Sequence, residues 1–169
     1  GMADTFGRTG IWNSDISSNQ AGIEGGGIDC LGSDLAIQGA TFSGNSARES
    51  GGGIYNQFGD LLLSAATLSN NLARKGGGLF NNSGTMRLNF VTVADNAALS
   101  GGGGGLADLE GTLELVNTLI AGNTVLVGPH GADVSGEIVS LGGNLIGDSE
   151  GGSGYREEQD LLDVVSLTT

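Results

Sequence analysis

The chain has 169 residues, 34 of them Gly and one Pro, with 38% hydrophobic and 15% charged residues. That length is one domain's worth, and the composition excludes collagen, a Pro-rich linker and a disordered chain. A formal charge of −13, a pI near 4.1 and only six Lys and Arg exclude nucleic acid and anionic lipid as partners, because their phosphates find no basic patch.

Gly1-Met2 reads as a tag remnant, and residues 1–10 offer only Met2 and Phe6 as sizeable apolar groups. Ile11 and Ile16 fit the second half of a repeat whose first half is missing or degenerate, with Trp12 expected to cover the open core there. From Asn19 onward the chain repeats itself. An apolar residue with Asn three places later recurs as Ile16/Asn19, Phe42/Asn45, Leu68/Asn71, Val93/Asn96 and Ile120/Asn123, and the Asn residues are 26, 26, 25 and 27 positions apart. A Gly-Gly-Gly-aliphatic block ends at Ile28, Ile54, Leu79 and Leu106. Self-similarity at this period marks a solenoid, whose repeats bury their apolar faces only against one another.

Counting from the aliphatic residue as position zero, position seven holds Leu35, Leu61, Met86 and Leu113, and position nine holds Ile37, Leu63, Leu88 and Leu115. Position fourteen holds Phe42, Leu68, Val93 and Ile120, and the Asn follows at seventeen. A period of two at seven and nine predicts a strand with one buried face. Gly32, Gly59, Gly84 and Gly111 mark a turn before it, and the segment after the Asn, where all the length variation falls, reads as a variable loop. The spacing predicts an all-β parallel β-helix of five to six coils of 25–27 residues, right-handed at this coil length, with three short strands per coil. A leucine-rich repeat needs denser Leu, a left-handed hexapeptide helix needs a shorter period, and the calcium-binding nonapeptide fails at Leu106, where it requires Gly.

In the last coil Val134 is expected at position zero, Ile138 at nine, Leu141 at fourteen and Asn144 at seventeen, after a loss of five residues between the first two strands. The helix is thus placed at residues 1–146, and residues 147–169, with the acidic stretch Glu157 to Asp163, form a cap or a truncated further coil.

The run Asn117 to Asn123, followed by Gly131 to Asp148, resembles the C-terminal coils of bacterial surface β-helix proteins of the choice-of-anchor type. The Gly-Gly-Gly-aliphatic and apolar-x-x-Asn blocks are similar to the repeats of polymorphic outer-membrane proteins. Together the resemblance covers about residues 20 to 150, although this chain carries Gly128-Pro129-His130-Gly131-Ala132-Asp133 where the first family has Gly-Pro-Asp. It implies a pectin-lyase-like, exported scaffold, extracellular or on the cell surface, with no catalytic residues to carry over.

Asn19, Asn45, Asn71, Asn96, Asn123 and Asn144 should stack at the strand spacing of about 4.8 Å and bond along the column. Position one, next to an inward residue, should face out, which puts Tyr55 and Phe80 side by side near Asn82 as an exposed platform for a sugar ring, or as a plain cross-strand aromatic pair. Asp34 and Asp60 share position six in adjacent coils and would either hold Ca²⁺ or cap turns, as Thr85 and Thr112 do at the same position. Arg87 and Glu114 at position eight should pair on the surface. Cys30, the single cysteine, falls in register with Asn56 and Asn81 and reads as a small buried thiol. His130 lacks the partnered Ser of a hydrolase, and the Thr41, Thr67, Thr92 row is too short to bind ice. Arg48 and Arg74 recur in successive loops as a polysaccharide lyase would need, but far round the coil from Asp34 and Asp60.

The expectation is a non-catalytic surface module acting as scaffold, adhesin or glycan-binding face. A carbohydrate-active enzyme, lyase or hydrolase, is the alternative on the same fold. No cofactor other than weakly held Ca²⁺ is implied, no 18-residue apolar run spans a membrane, and the thinly covered N-terminal coil predicts end-to-end self-association or a longer β-helix.

Overall fold

The computed structural model describes residues 9–128, 131–156 and 158–164. Its chain path is set by single left-handed residues at the corners. After the first strand of each coil stand Gly32, Phe58, Ser83 and Glu110, and after the second stand Asn13, Gly39, Ala65, Phe90 and Asn117. Ser18, Gly44, Asn70, Asp95 and Gly122 follow the third, and all these residues have φ between 46° and 73°. One left-handed residue between two extended segments turns the chain sharply, so short strands alternate with corners and each coil lies on the one before it.

Every strand pairs in parallel with its equivalent one coil away, giving four sheets among the described residues. The first contains Ile28–Leu31, Ile54–Gln57, Leu79–Asn82, Leu106–Leu109, Val134–Glu137 and Gly152–Ser153. The second runs from Thr9–Trp12 through Asp34–Gln38, Asp60–Ser64, Thr85–Asn89 and Thr112–Val116 to Val139–Ser140. Asp15–Ser17, Thr41–Ser43, Thr67–Ser69, Thr92–Ala94, Leu119–Ala121, Leu145–Ile146 and Leu161–Leu162 make the third. The fourth holds Gln20–Ala21, Ser46–Ala47, Leu72–Ala73, Ala97–Ser100 and Thr124–Val127. The molecule is therefore an all-β solenoid of about five turns, with no helix among the described residues.

Each of the four coils that start at Ile28, Ile54, Leu79 and Leu106 has four strands rather than three. The fourth lies in the segment the sequence marks as a loop. Its pairing is only two residues long in Ser46–Ala47 and Leu72–Ala73, and its inward residues are Ala47, Ala73 and Ala98. Two residues ending in Ala show no apolar alternation, so periodicity could not reveal them.

The main core is one column of stacked layers, with Tyr55, Phe80 and Ala107 as a separate small cluster. Leu61, Leu63, Leu68, Leu79, Met86, Leu88, Leu113 and Leu115 are fully buried, and Phe42 fills the largest site. Burying each of these side chains stabilises the fold by about 1.5–3 kcal/mol. The three glycines before position zero serve different ends. The first carries positive φ (Gly51 +67°), and a Cβ there would lie 2.8 Å from the Tyr55 Cα; the third faces the core, where a Cβ on Gly53 would meet Leu68 at 3.2 Å. Gly59 and Gly111 are not the turn residues. They leave room for neighbouring side chains, since a Cβ would sit 2.6 Å from Asn56 Oδ1 at Gly59 and 2.7 Å from Asp108 Oδ1 at Gly111.

The last coil has a different register from the one its sequence suggests. Leu115 pairs with Ser140 and Ile120 with Ile146, so Ser140 takes position nine and Ile146 takes fourteen, while Leu141 is exposed. Beyond it, Gly152–Ser153 pairs with Gly136 and Glu137, and Leu161–Leu162 with Leu145 and Ile146, which prolongs two of the sheets. Trp12 does not cover the core. It aligns with Gln38 on the outer face of the second sheet, and its six-membered ring fills the space a Cβ on Gly10 would occupy. Met2, Phe6, His130 and Glu157 lie outside the described residues.

Candidate functional site

Among the described residues three polar columns run through the coil interior. In the first, Asn45, Asn71 and Asn96 each donate both the backbone N–H and Nδ2 to the Oδ1 of the next Asn, at 2.9–3.0 Å. Each also sends Nδ2 back to a carbonyl of the preceding coil, that of Ile16, Phe42 or Leu68. Asn19 joins the column at one end by donating to Asn45. Asn123 closes it by donating its N–H (3.0 Å) and Nδ2 (2.7 Å) to Asp133 Oδ1, while Asp133 Oδ2 accepts from the Asp148 N–H at 2.7 Å.

Asn144 belongs to a different column. It stands beside Thr118 at the corner between the second and third sheets, where its Oδ1 accepts the Thr118 N–H at 3.0 Å. Its own N–H and Nδ2 donate to Asp160 Oδ1, and Ser140 Oγ donates to Asp160 Oδ2 at 2.6 Å. The shortened last coil shifts Asn144 out of line with Asn123, and Asp133 takes the vacated place.

The remaining column, at position two, consists of Cys30, Asn56, Asn81 and Asp108, side by side in the register of the first sheet. Asn56 Nδ2 donates to Asn81 Oδ1 at 2.8 Å, and Asn81 Nδ2 to Asp108 Oδ1 at 2.6 Å. Each amide also reaches a carbonyl three residues on, Gly59 or Gly84. Asn56 Oδ1 is buried without a partner, because the preceding coil offers a thiol, and that thiol donates to the Ser33 carbonyl. The sequence signal was the in-register row of Cys, Asn, Asn and Asp two places after the aliphatic residue.

All three columns end in a carboxylate on the C-terminal side. An amide column donates in one direction, so its last member needs only acceptors, and Asp supplies them. Burial pushes Asp108 and Asp133 above the ordinary carboxylate value, partly offset by the amide hydrogen bonds they accept. Burial acts the same way on Asp160, yet hydrogen bonds from Ser140, the Arg156 N–H and Asn144 outweigh it and hold this carboxyl low.

Tyr55 and Phe80 do stack, with centroids 5.8 Å apart and planes 17° from parallel. They are not an exposed platform. Tyr55 is 3% exposed and Phe80 5%, because the glycine corner that carries Gly51 and Gly76 folds back over position one. Alternation gave the direction of these side chains correctly, but could not show that the chain before each strand covers them. Asn82 Nδ2 donates to the Tyr55 hydroxyl at 3.1 Å, fixing the pair from its edge.

On the outer face of the second sheet, Asp34 and Asp60 lie side by side in register. Asp60 is engaged by Arg87, whose Nη1 approaches its Oδ1 at 2.8 Å, while Nε of the same guanidinium meets Glu114 Oε2 at 2.8 Å. Arg87 thus spans three strands and meets one of the two carboxylates offered for Ca²⁺. Among the described residues no group of three or more His, Cys, Asp or Glu could hold a metal ion. On the fourth sheet Arg48 lines a shallow groove with Gln20, Ser46, Leu72 and Leu99, and Arg74 pairs with Glu49 at 3.2 Å. These Arg residues and the Asp pair stand on different sheets.

Four parallel sheets and internal amide columns define a β-solenoid repeat protein. Within it, residues 39–57 match the Chlamydia polymorphic membrane protein repeat, a stretch that runs from the Gly39 corner through Asn45 and the Gly51–Gly53 block to Gln57. No curated protein and no solved structure matches the chain at a significant level.

Proposed function

We propose that this chain is a non-catalytic module of a secreted or cell-surface protein, a stacked scaffold that carries binding chemistry on its outer faces. One observation carries the reading: among the described residues the Asn and Asp side chains of the three columns bond one another and backbone groups, with Asn56 Oδ1 the exception, and so hold one coil on the next. The repeat match at residues 39–57 supports a surface setting, since that repeat is described for a membrane protein. Engagement of Asp60 by Arg87 argues against the lyase or hydrolase alternative, which needs carboxylates converging on a substrate.

The same reading extends to assembly. Thr9–Trp12, Asp15–Ser17, Gln20–Ala21 and Ile28–Leu31 are the edge strands of the four sheets on the N-terminal side of the described residues, and Ile28 is less buried than Ile54 or Leu79. Edges that are unpaired among the described residues, beside a partly buried Ile28, favour coil-on-coil stacking with another chain. An antibody raised against the chain should label intact cells of its source, and protease added outside should remove the signal. Labelling that appears only after lysis would refute the surface reading.

A further inference from the structure

Two positions in the corner rows break the rule that their neighbours keep. Phe58 stands where the other coils have Gly32, Ser83 and Glu110, and Phe90 where they have Gly39, Ala65 and Asn117. Both hold left-handed backbone, at φ +57° and +54°, which bulky side chains disfavour. Each ring is also 64% exposed. Among the described residues no other large apolar side chain combines left-handed backbone with such exposure, a coincidence of local strain and unburied apolar surface that points outside the fold.

Both flank one surface. Phe58 stands two residues before Asp60–Ser64, Phe90 directly follows Thr85–Asn89, and these strands are neighbours in the second sheet with Asp60 beside Thr85 and Ser64 beside Asn89. Seven residues at strand rise put the rings roughly 20 Å apart along the strands and one coil, about 5 Å, across them. The same outer face carries Trp12, 46% exposed, lying over Gly10. Between the rings lie half-exposed Ser64, Thr85, Asn89 and Arg87, the last anchored by Asp60 and Glu114, with the half-exposed Leu62 beside Arg87.

We infer that the outer face of the second sheet is a glycan-binding surface, in which Phe58, Phe90 and Trp12 stack on sugar rings and the polar floor between them bonds hydroxyl groups. Separated aromatics over a hydrogen-bonding floor suit a polyhydroxylated chain better than a protein partner, whose interface core would be contiguous and poor in charge. Among the described residues of this face Asp34, Asp60 and Glu114 stand against Arg87, which on a chain of net charge −13 selects a neutral or amine-bearing oligosaccharide over an acidic one. This inference rests on the surface-scaffold reading and says which face does the binding.

The test uses the full chain on immobilised hexasaccharides: neutral gluco-, galacto-, manno-, xylo- and N-acetylhexosamine chains, a glucosamine chain and an oligogalacturonate. Binding to a neutral or amine-bearing chain is expected, with at least about tenfold weakening in the double variant Phe58→Ser, Phe90→Asn, whose new residues are those of neighbouring coils. The melting midpoint of that variant should be equal to or above the native one, since strain is relieved. No binding to any chain, preference for the oligogalacturonate, or binding that survives both substitutions overturns the inference; so does a lower melting midpoint, which would mark the rings as structural. The cell-labelling result is independent of all of these.

Discussion

Along the Asn19 to Asn123 column the amides of Asn45, Asn71 and Asn96 are buried and bonded on both sides, whereas on the outer face of the second sheet polar groups are half-exposed and aromatics face water. Backbone geometry follows the same division. The interior uses Asn where its side chain completes the coil, and the outer corners hold Phe58 and Phe90 where Gly or Asn would sit more easily. The difference teaches that a repeated residue in this fold is a statement about the coil, while a departure at an outer corner, as at Phe58 and Phe90, is a statement about the surface.

The interior is where substitutions should cost most. Asn71→Ala removes an acceptor of two hydrogen bonds and a donor of two more, so the Asn45 N–H and Nδ2 lose the acceptor they share and the Phe42 carbonyl and Asn96 Oδ1 each lose a donor, Asn96 Oδ1 keeping only the backbone N–H of residue 71. We expect a loss of about 3 kcal/mol by urea unfolding; an unchanged midpoint would mean the column is solvated. Asp133→Asn puts an NH₂ against donors, either the Asn123 pair or the Asp148 N–H, and should cost about 1–2 kcal/mol despite removing a buried charge. Tolerance of Asn at 133 would show that a column can end in an amide.

In the opposite direction, Cys30→Asn combined with Ser33→Gly, which clears the space that Gly59 clears for Asn56, extends the position-two column by one member and gives Asn56 Oδ1 the donor it lacks. A gain of about 1 kcal/mol is expected in the same assay, and a loss would show that the thiol is the better fit in that space.

Acid should act least, and in two opposed steps. Asp108 and Asp133 are raised by burial, so the folded chain takes up their protons before the unfolded chain does. Between the ordinary value near ~3.9 and those raised values, stability therefore rises as pH falls. Asp160 is held low, so its contribution is complete above the unfolded value and is lost as pH falls through the folded one. The melting midpoint should pass through a shallow maximum on the acid side of neutrality and then drop. A steady fall from pH 7 would contradict the raised values of Asp108 and Asp133.

Most of the coil was legible because its signals are long-range and repeated: position zero, seven, nine and fourteen each recur four times with one chemical character. The fourth strand was not, since a two-residue strand whose inward residue is Ala leaves no pattern. Nor was the register of the last coil, where Ser140 and not an aliphatic residue fills position nine and Asp133 replaces the Asn. Burial of Tyr55 and Phe80 depends on a glycine corner that folds over them, a tertiary fact that alternation cannot carry. The exposed rings of Phe58 and Phe90 could have been found by asking which residues depart from the corner rows, had those rows been known to be left-handed.

Hydrogen exchange of the side-chain amides gives the sharpest reading of the interior, because Asn70 and Asn117 are exposed corner residues in the same molecule. The Nδ2 protons of Asn71 and Asn96 should exchange only through global unfolding, orders of magnitude more slowly than those of Asn70 and Asn117. Equal rates for all four would contradict a buried amide column and, with it, the division between a structural interior and a functional outer face.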